Sequence, residues 1–152
     1  MSSLSSFFTS FDAKECAFIC LGNKDRADDG IGLIIANKLS KVYPKNVFSE
    51  EEEDISTILL YILEKEQYKQ VILIDAVEFG AEPGSLLVSP NINTNVKQIS
   101  THTIPYHEIS RLLESKNREF LFIGIQVKSL TFLEDISEEV MHAAEKVMEL
   151  LI

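Results

Sequence analysis

The chain has no tryptophan, only two cysteines and six glycines among its 152 residues, and few basic side chains. Lys and Arg number 14 against 24 Asp and Glu, a net charge of −10. So negative a balance, with no basic stripe, is unsuited to phosphate backbones or anionic membranes and excludes nucleic acid as an expected partner. No apolar run approaches the roughly 20 residues of a membrane span. The start, MSSLSSFFTSFDAKE, lacks the basic opening and long apolar core of a secretion signal. The expectation is a cytoplasmic protein with no membrane insertion. Familiar catalytic signatures are also missing: there is no HExxH, no GxSxG and no CxxC. GNKDRADDGIG, residues 22–32, has neither the Gly-Lys-Ser/Thr ending of a phosphate loop nor the glycine spacing of a dinucleotide fingerprint. No organic cofactor is expected.

Cys16 and Cys20 lie in the apolar stretch CAFIC. On a strand, residues four apart are roughly 13 Å apart, too far to bridge or to share a metal. Buried structural thiols are expected. The acid run EEEED, Glu50 to Asp54, reads as a solvated turn that also places acid at a helix N-terminus.

What is present is an alternation of periods. Apolar residues at 4, 7, 8 and 11 give a short helical arm, with Phe7, Phe8 and Phe11 expected to pack inward. Cys16 to Leu21, Val71 to Val77 and Phe120 to Ile125 are continuous apolar runs suited to buried parallel strands, with Val47-Phe48 and Leu86 to Val88 as shorter extended pieces. Between them fall helical stripes: Ile31 to Leu39, Ile55 to Lys65 capped by Asp54, Pro105 to Leu113 opened by its proline, and a last helix capped by Ser137. The last helix turns Val140, Ala143, Ala144, Val147 and Leu151 inward. The pattern predicts one α/β domain over 1–152, a three-layer sandwich with helices on both faces of a mostly parallel, roughly five-stranded sheet.

In such sheets, sites gather at the carboxyl ends of strands. Asp28 and Asp29 follow the first strand, Asp75 closes VILI, and His102 lies in STHTIP. Two carboxylates and an imidazole form a three-ligand set with open positions for water or substrate. Each has a plainer alternative. Asp28 and Asp29 can complement a helix N-terminus, Asp75 can cap a loop through backbone amides, and His102 can be an exposed loop histidine. His107, an outside candidate, and His142 lie in ordinary helical contexts. The residues alone reach no further than a metal-binding α/β domain.

Taken together and in order, the motifs resemble those of the hydrogenase maturation endopeptidases, which cut a C-terminal extension from the large subunit of nickel–iron hydrogenases. The residues that carry the resemblance are Gly22, Asn23, Asp28, Asp29, Gly30 and Gly32, then DAVEFGAEPG from Asp75, STHTIPYHEISRLL, IGIQ at 123–126 and SEEV at 137–140. The chain is most similar to the subgroup serving hydrogen-evolving hydrogenases. It departs from the family at Cys20-Leu21, where Gly-x is usual, and at Val127, where proline is common.

The resemblance implies a phosphorylase/hydrolase-like sandwich and an endopeptidase acting on the large-subunit precursor after nickel insertion. Asp29, Asp75 and His102 become the metal ligands, with Asp29 and Asp75 the catalytic candidates. Gly22, Asn23, Asp28, Gly30 and Gly32 become loop-shaping residues. The nickel is supplied by the precursor, and a monomer is expected. Two rivals stand beside this reading: a hydrolase holding its own metal, and a non-catalytic maturation chaperone on the same scaffold.

Overall fold

A computed structural model describes residues 4–92, 96–99 and 104–152; His102 lies outside the described residues. The elements follow in the order α1 (Leu4–Thr9), β1 (Cys16–Cys20), α2 (Ile31–Val42), β2 (Val47–Ser49), α3 (Ile55–Glu64), β3 (Gln70–Glu78), β4 (Leu86–Ser89), β5 (Lys97–Gln98), α4 (Tyr106–Ser115), β6 (Glu119–Gln126) and α5 (Glu138–Leu151). The sheet order is β2-β1-β3-β6-β4, with the two-residue β5 pairing β3 off this path. Strands β2, β1, β3 and β6 are parallel, whereas β4 and β5 run antiparallel to β6 and β3. The expected five-stranded, mostly parallel sheet is present.

The three layers follow from the apolar runs. Strands β1, β3 and β6 are buried along nearly their whole length, because helices cover both faces. One core gathers Phe7, Phe18, Cys20, Ile35, Leu39, Ile72, Ile123, Val140, Val147 and neighbours beneath α1, α2 and α5. The other packs Ile19, Leu73, Val77, Phe120 and Phe122 against Ile58 and Ile62 of α3 and Tyr106, Ile109 and Leu113 of α4. Both cysteines are buried free thiols, and burial raises both, Cys16 well above its ordinary value and Cys20 up to about 12, which disfavours the nucleophilic thiolate.

The N-terminal arm packs inward as expected. Phe7 is fully buried, Phe7 and Phe11 stack, and Phe11 meets the edge of Phe18. Buried Gln70 fastens the arm by donating to the Phe7 carbonyl and accepting from the amide of Asp12.

Three local readings need correction. Asp75 does not end its strand: β3 continues to Glu78 because β6 stays paired with it through Val77 opposite Gln126. Ser137 occupies the N-cap of α5, but its hydroxyl donates to Asp28 instead of capping helix amides. Pro105 stands at the N-cap of α4, one position ahead of the expected first turn.

The topology decides where a site can form. From β1 the chain passes through α2 to β2 on one side, then returns through α3 to β3 on the other. The order therefore reverses between β1 and β3, and a crevice opens at their carboxyl ends. Helix α2 is pressed onto this point. A Cβ on Gly32 would lie 1.9 Å from the Leu21 carbonyl oxygen, so only glycine lets the helix start so close to the strand end.

Candidate active site

GNKDRADDGIG fills the β1 side of the crevice. Gly22 brings the backbone against the far end of its own loop: a Cβ there would sit 2.4 Å from the Asp29 carbonyl oxygen. The Asn23 amide donates to that same carbonyl at 2.9 Å. Ala27, buried and at φ 48, turns the chain left-handed just before the aspartates. Such a conformation costs a non-glycine residue on the order of 1 kcal/mol and is the kind of strain that gathers at functional loops.

The two adjacent aspartates have separate jobs. Asp28 is fully buried and saturated. It accepts from the amides of Lys128 (2.7 Å), Ser129 (2.9 Å) and Ser137 (2.7 Å) and from the Ser137 hydroxyl (3.0 Å). It bolts the loop between β6 and α5 to the GNKDRADDGIG loop. Asp29 is 1% exposed, yet its Oδ1 has no hydrogen-bond partner among the described residues. Its Oδ2 lies 4.0 Å from Arg26 Nη1. Burial pushes its pKa up to about 6; the Arg26 charge opposes that shift and Glu50 adds to it.

Asp75, 4% exposed, reaches the same crevice from β3 and accepts a hydrogen bond from the Tyr106 hydroxyl. Burial raises it to about 8, against the Tyr106 hydrogen bond and with help from the charges of Asp29 and Glu50. In the free chain Asp75 thus keeps its proton at neutral pH. Burial, followed by the Asp75 charge, drives the Tyr106 phenol far above its ordinary value, so it acts as a donor only.

Sequence reasoning missed four residues here. Tyr106 stood out only as part of STHTIPYHEISRLL, but its hydroxyl orients Asp75. Arg26 stands in GNKDRADDGIG, but nothing in that stretch assigns it a role of its own. Its Nη1 in fact donates to the Ile99 carbonyl at 2.7 Å while facing Asp29. Glu50 was grouped with the solvated acid run, yet it is half-buried and accepts the Gly22 amide at 2.7 Å. Its position directly after β2 was the available signal. Gln126 closes β6 and folds the turn after β3, accepting from the amides of Phe79 and Ala81. Glu51, Glu52, Glu53 and Asp54 remain exposed, and Asp54 caps α3 by accepting from Thr57. His107 is exposed on α4, and His142 lies 3.7 Å from Glu145 on α5.

The arrangement brings two poorly solvated carboxylates together, one of them with an unpartnered oxygen. Among the described residues no three His, Cys, Asp or Glu side chains converge closely enough to hold a metal ion. The described part of the crevice thus presents two buried carboxylates, Asp29 from the loop after β1 and Asp75 from the neighbouring strand β3.

The family model for hydrogenase maturation proteases of the HycI type matches residues 55–152, more than half of the chain. The chain belongs to the hydrogenase maturation protease family. A Methanocaldococcus jannaschii protein, provisionally named a hydrogenase maturation protease, is 30% identical over 146 residues, spanning 91% of this chain and 95% of its own. The hydrogenase 3 maturation protease of Escherichia coli K12 is 26% identical over 140 residues, 88% of this chain and 86% of its own. The crystal structure of a nickel–iron hydrogenase maturation protease, HycI, from Thermococcus kodakarensis superposes with a TM-score of 0.74 at 26% identity, covering 97% of this chain and 95% of that one. The chain is accordingly a hydrolase of the maturation protease family, on the sandwich that its sequence pattern predicts. Among the described residues no helix is long and apolar enough to cross a membrane.

The two buried carboxylates should make the stability of this protease fall with rising pH. An unfolded aspartate titrates near 3.9, whereas Asp29 and Asp75 hold their protons to about 6 and about 8 in the fold. Between those limits the native state binds more protons than the unfolded state, so each pH step upward favours unfolding. In the metal-free chain, the urea midpoint should be lower at pH 8 than at pH 5. Asp75→Asn should remove much of that difference while matching the wild type near pH 4. A wild-type midpoint that rises between pH 5 and pH 8 contradicts the assigned protonation.

Proposed function

We propose that this protease removes the C-terminal extension of a nickel–iron hydrogenase large-subunit precursor after nickel insertion, serving a hydrogen-evolving enzyme. Asp29, Asp75 and His102 are the residues that meet the inserted metal. The nickel is part of the substrate, not a resident cofactor. The observation that carries this reading is Asp29 Oδ1, a carboxylate oxygen buried without a hydrogen-bond partner among the described residues. Leaving such an atom unsatisfied is expensive, and a docking cation relieves the expense.

The donor chemistry agrees. Carboxylates with an imidazole suit Ni²⁺, and three protein ligands leave positions for ligands supplied by the precursor. Asp29 presents its bare oxygen from the β1 loop. Tyr106 fixes Asp75 through Oδ2 and so limits the directions in which the other oxygen can bind. When a cation enters, the balance that keeps Asp75 protonated reverses and its proton is released. The metal, polarising a water or the scissile carbonyl, supplies the electrophilic assistance for peptide cleavage. Asp29 and Asp75 are the candidates for handling the proton of the attacking water. The enzyme works as a monomer in the cytoplasm, docking transiently on its larger substrate.

The test is incubation of nickel-loaded and nickel-free precursor with the protease, reading tail loss by mass spectrometry. Only the nickel-loaded form should shorten, and His102→Ala should leave it intact. Equal cleavage of both precursors overturns the nickel dependence. A stoichiometric metal in the purified protease would instead favour a hydrolase with its own ion, and an uncut but bound precursor a chaperone.

A further inference from the structure

Arg26 is the one basic side chain paired with either site carboxylate among the described residues, and its geometry is unusual for an ion-pair partner. It does not grip Asp29 with the two parallel hydrogen bonds that guanidinium and carboxylate readily form. Its Nη1 is spent on the neutral Ile99 carbonyl at 2.7 Å, and the same atom stands 4.0 Å from Asp29 Oδ2. Asp29 Oδ1 remains without a partner among the described residues. The positive charge is thus held beside the carboxylate by a third group, close enough to offset it and too far to occupy it.

We infer that Arg26 is a specificity-determining counter-charge, which makes the site reject free divalent cations and accept a metal ion that brings anionic ligands of its own. The argument is electrostatic. A hydrated dication entering beside Asp29 meets a fixed positive charge at close range in a poorly solvated crevice, where repulsion is weakly screened. A metal already neutralised by anionic ligands meets little repulsion, and those ligands are drawn to the guanidinium. Because Ile99 anchors the Nη1 atom, the charge cannot simply swing away when a free ion arrives. The inference rests on the reading of Asp29 as a residue that contacts substrate metal, and it supplies what that reading needs: a reason why free metal does not answer for metal in the precursor.

The test uses the purified chain and Ni²⁺ alone, titrated in a chelator-buffered series at pH 7.5. Arg26→Gln should bind free Ni²⁺ about tenfold or more tightly than the wild type. Arg26→Lys, which keeps the charge, should stay within about threefold of the wild type on the same grounds. Arg26→Met gives a second uncharged variant that keeps much of the stem's packing. The double variant Arg26→Gln with Asp29→Asn should lose the gain, placing the effect at Asp29. If Arg26 served only to pin Ile99, the uncharged variants would loosen the loop and bind metal more weakly. Binding no tighter than wild type in folded Gln and Met variants, or an equal gain in Arg26→Lys, overturns the inference. Precursor cleavage is a separate measurement, so failure of the nickel-dependent reading shows there and not in this titration.

Discussion

On the proposed function, in which Asp29 meets the substrate's metal, Asp29→Asn should abolish precursor processing, by about 100-fold. It should leave the fold as stable as the wild type or more stable. The native protein gains little from the Asp29 charge, since burial already pushes that carboxyl up to about 6 and Oδ1 receives no hydrogen bond among the described residues. Asn removes a costly charge and keeps the shape. Its neighbour should behave in the opposite way. Asp28 accepts from three amides and a hydroxyl, and Asn can present only one carbonyl oxygen to them while adding two donors. Asp28→Asn should therefore lose about 2–4 kcal/mol of stability, the range for breaking a buried, charge-assisted network. Urea denaturation and a cleavage assay on both variants separate the two roles. A stable, inactive Asp28→Asn beside an unstable, active Asp29→Asn would reverse the assignment.

Gly32→Ala should be among the most damaging single-atom changes in the chain. The added Cβ would lie 1.9 Å from the Leu21 carbonyl oxygen, and both sides of that contact are backbone, with no flexible side chain to give way. Helix α2 would have to lift from the end of β1, carrying the Asp29 loop with it. A loss of more than about 3 kcal/mol is expected, at the severe end for overpacking. Gly80→Ala is the control. Its φ of +80 carries the ordinary strain, about 1 kcal/mol, but nothing lies within 4 Å of the added atom. Thermal melts of the two variants should differ widely, and similar midpoints would mean that the helix–strand contact is looser than described.

The layers of the fold and two of the site's carboxylates are legible in the sequence for the same reason. Periods of 2 and 3.6 are local properties, and a carboxylate such as Asp75 inside VILIDAV stands out against its neighbours. Asp29 was legible too, but its distinction from Asp28 came from the family resemblance; the structure gives the physical difference, one carboxylate saturated and the other bare. Tyr106, Arg26, Glu50 and Gln126 were hidden because their roles exist only across chain segments. Only its place directly after β2 sets the Glu50 carboxylate, which meets Gly22, apart from Glu51 to Glu53 in the same run. Tyr106 and Asp75 are 31 residues apart, and Arg26 and Ile99 are 73 apart. Pairings of that kind follow from the sheet order, which the apolar pattern narrows to a class but does not fix.

The clamp on Asp28 also has a consequence for how the protein is made. Its partners at Lys128, Ser129 and Ser137 lie 100 to 109 residues downstream. Strand β1 and its loop leave the ribosome early, but the loop has nothing to hold its buried charge until β6 and the start of α5 have been synthesised and docked. Long-range contacts of this kind form late in folding. A nascent or truncated chain ending before residue 137 would carry the whole GNKDRADDGIG segment and still lack the scaffold that aims Asp29, so cleavage is expected only once Ser137 has been added and docked.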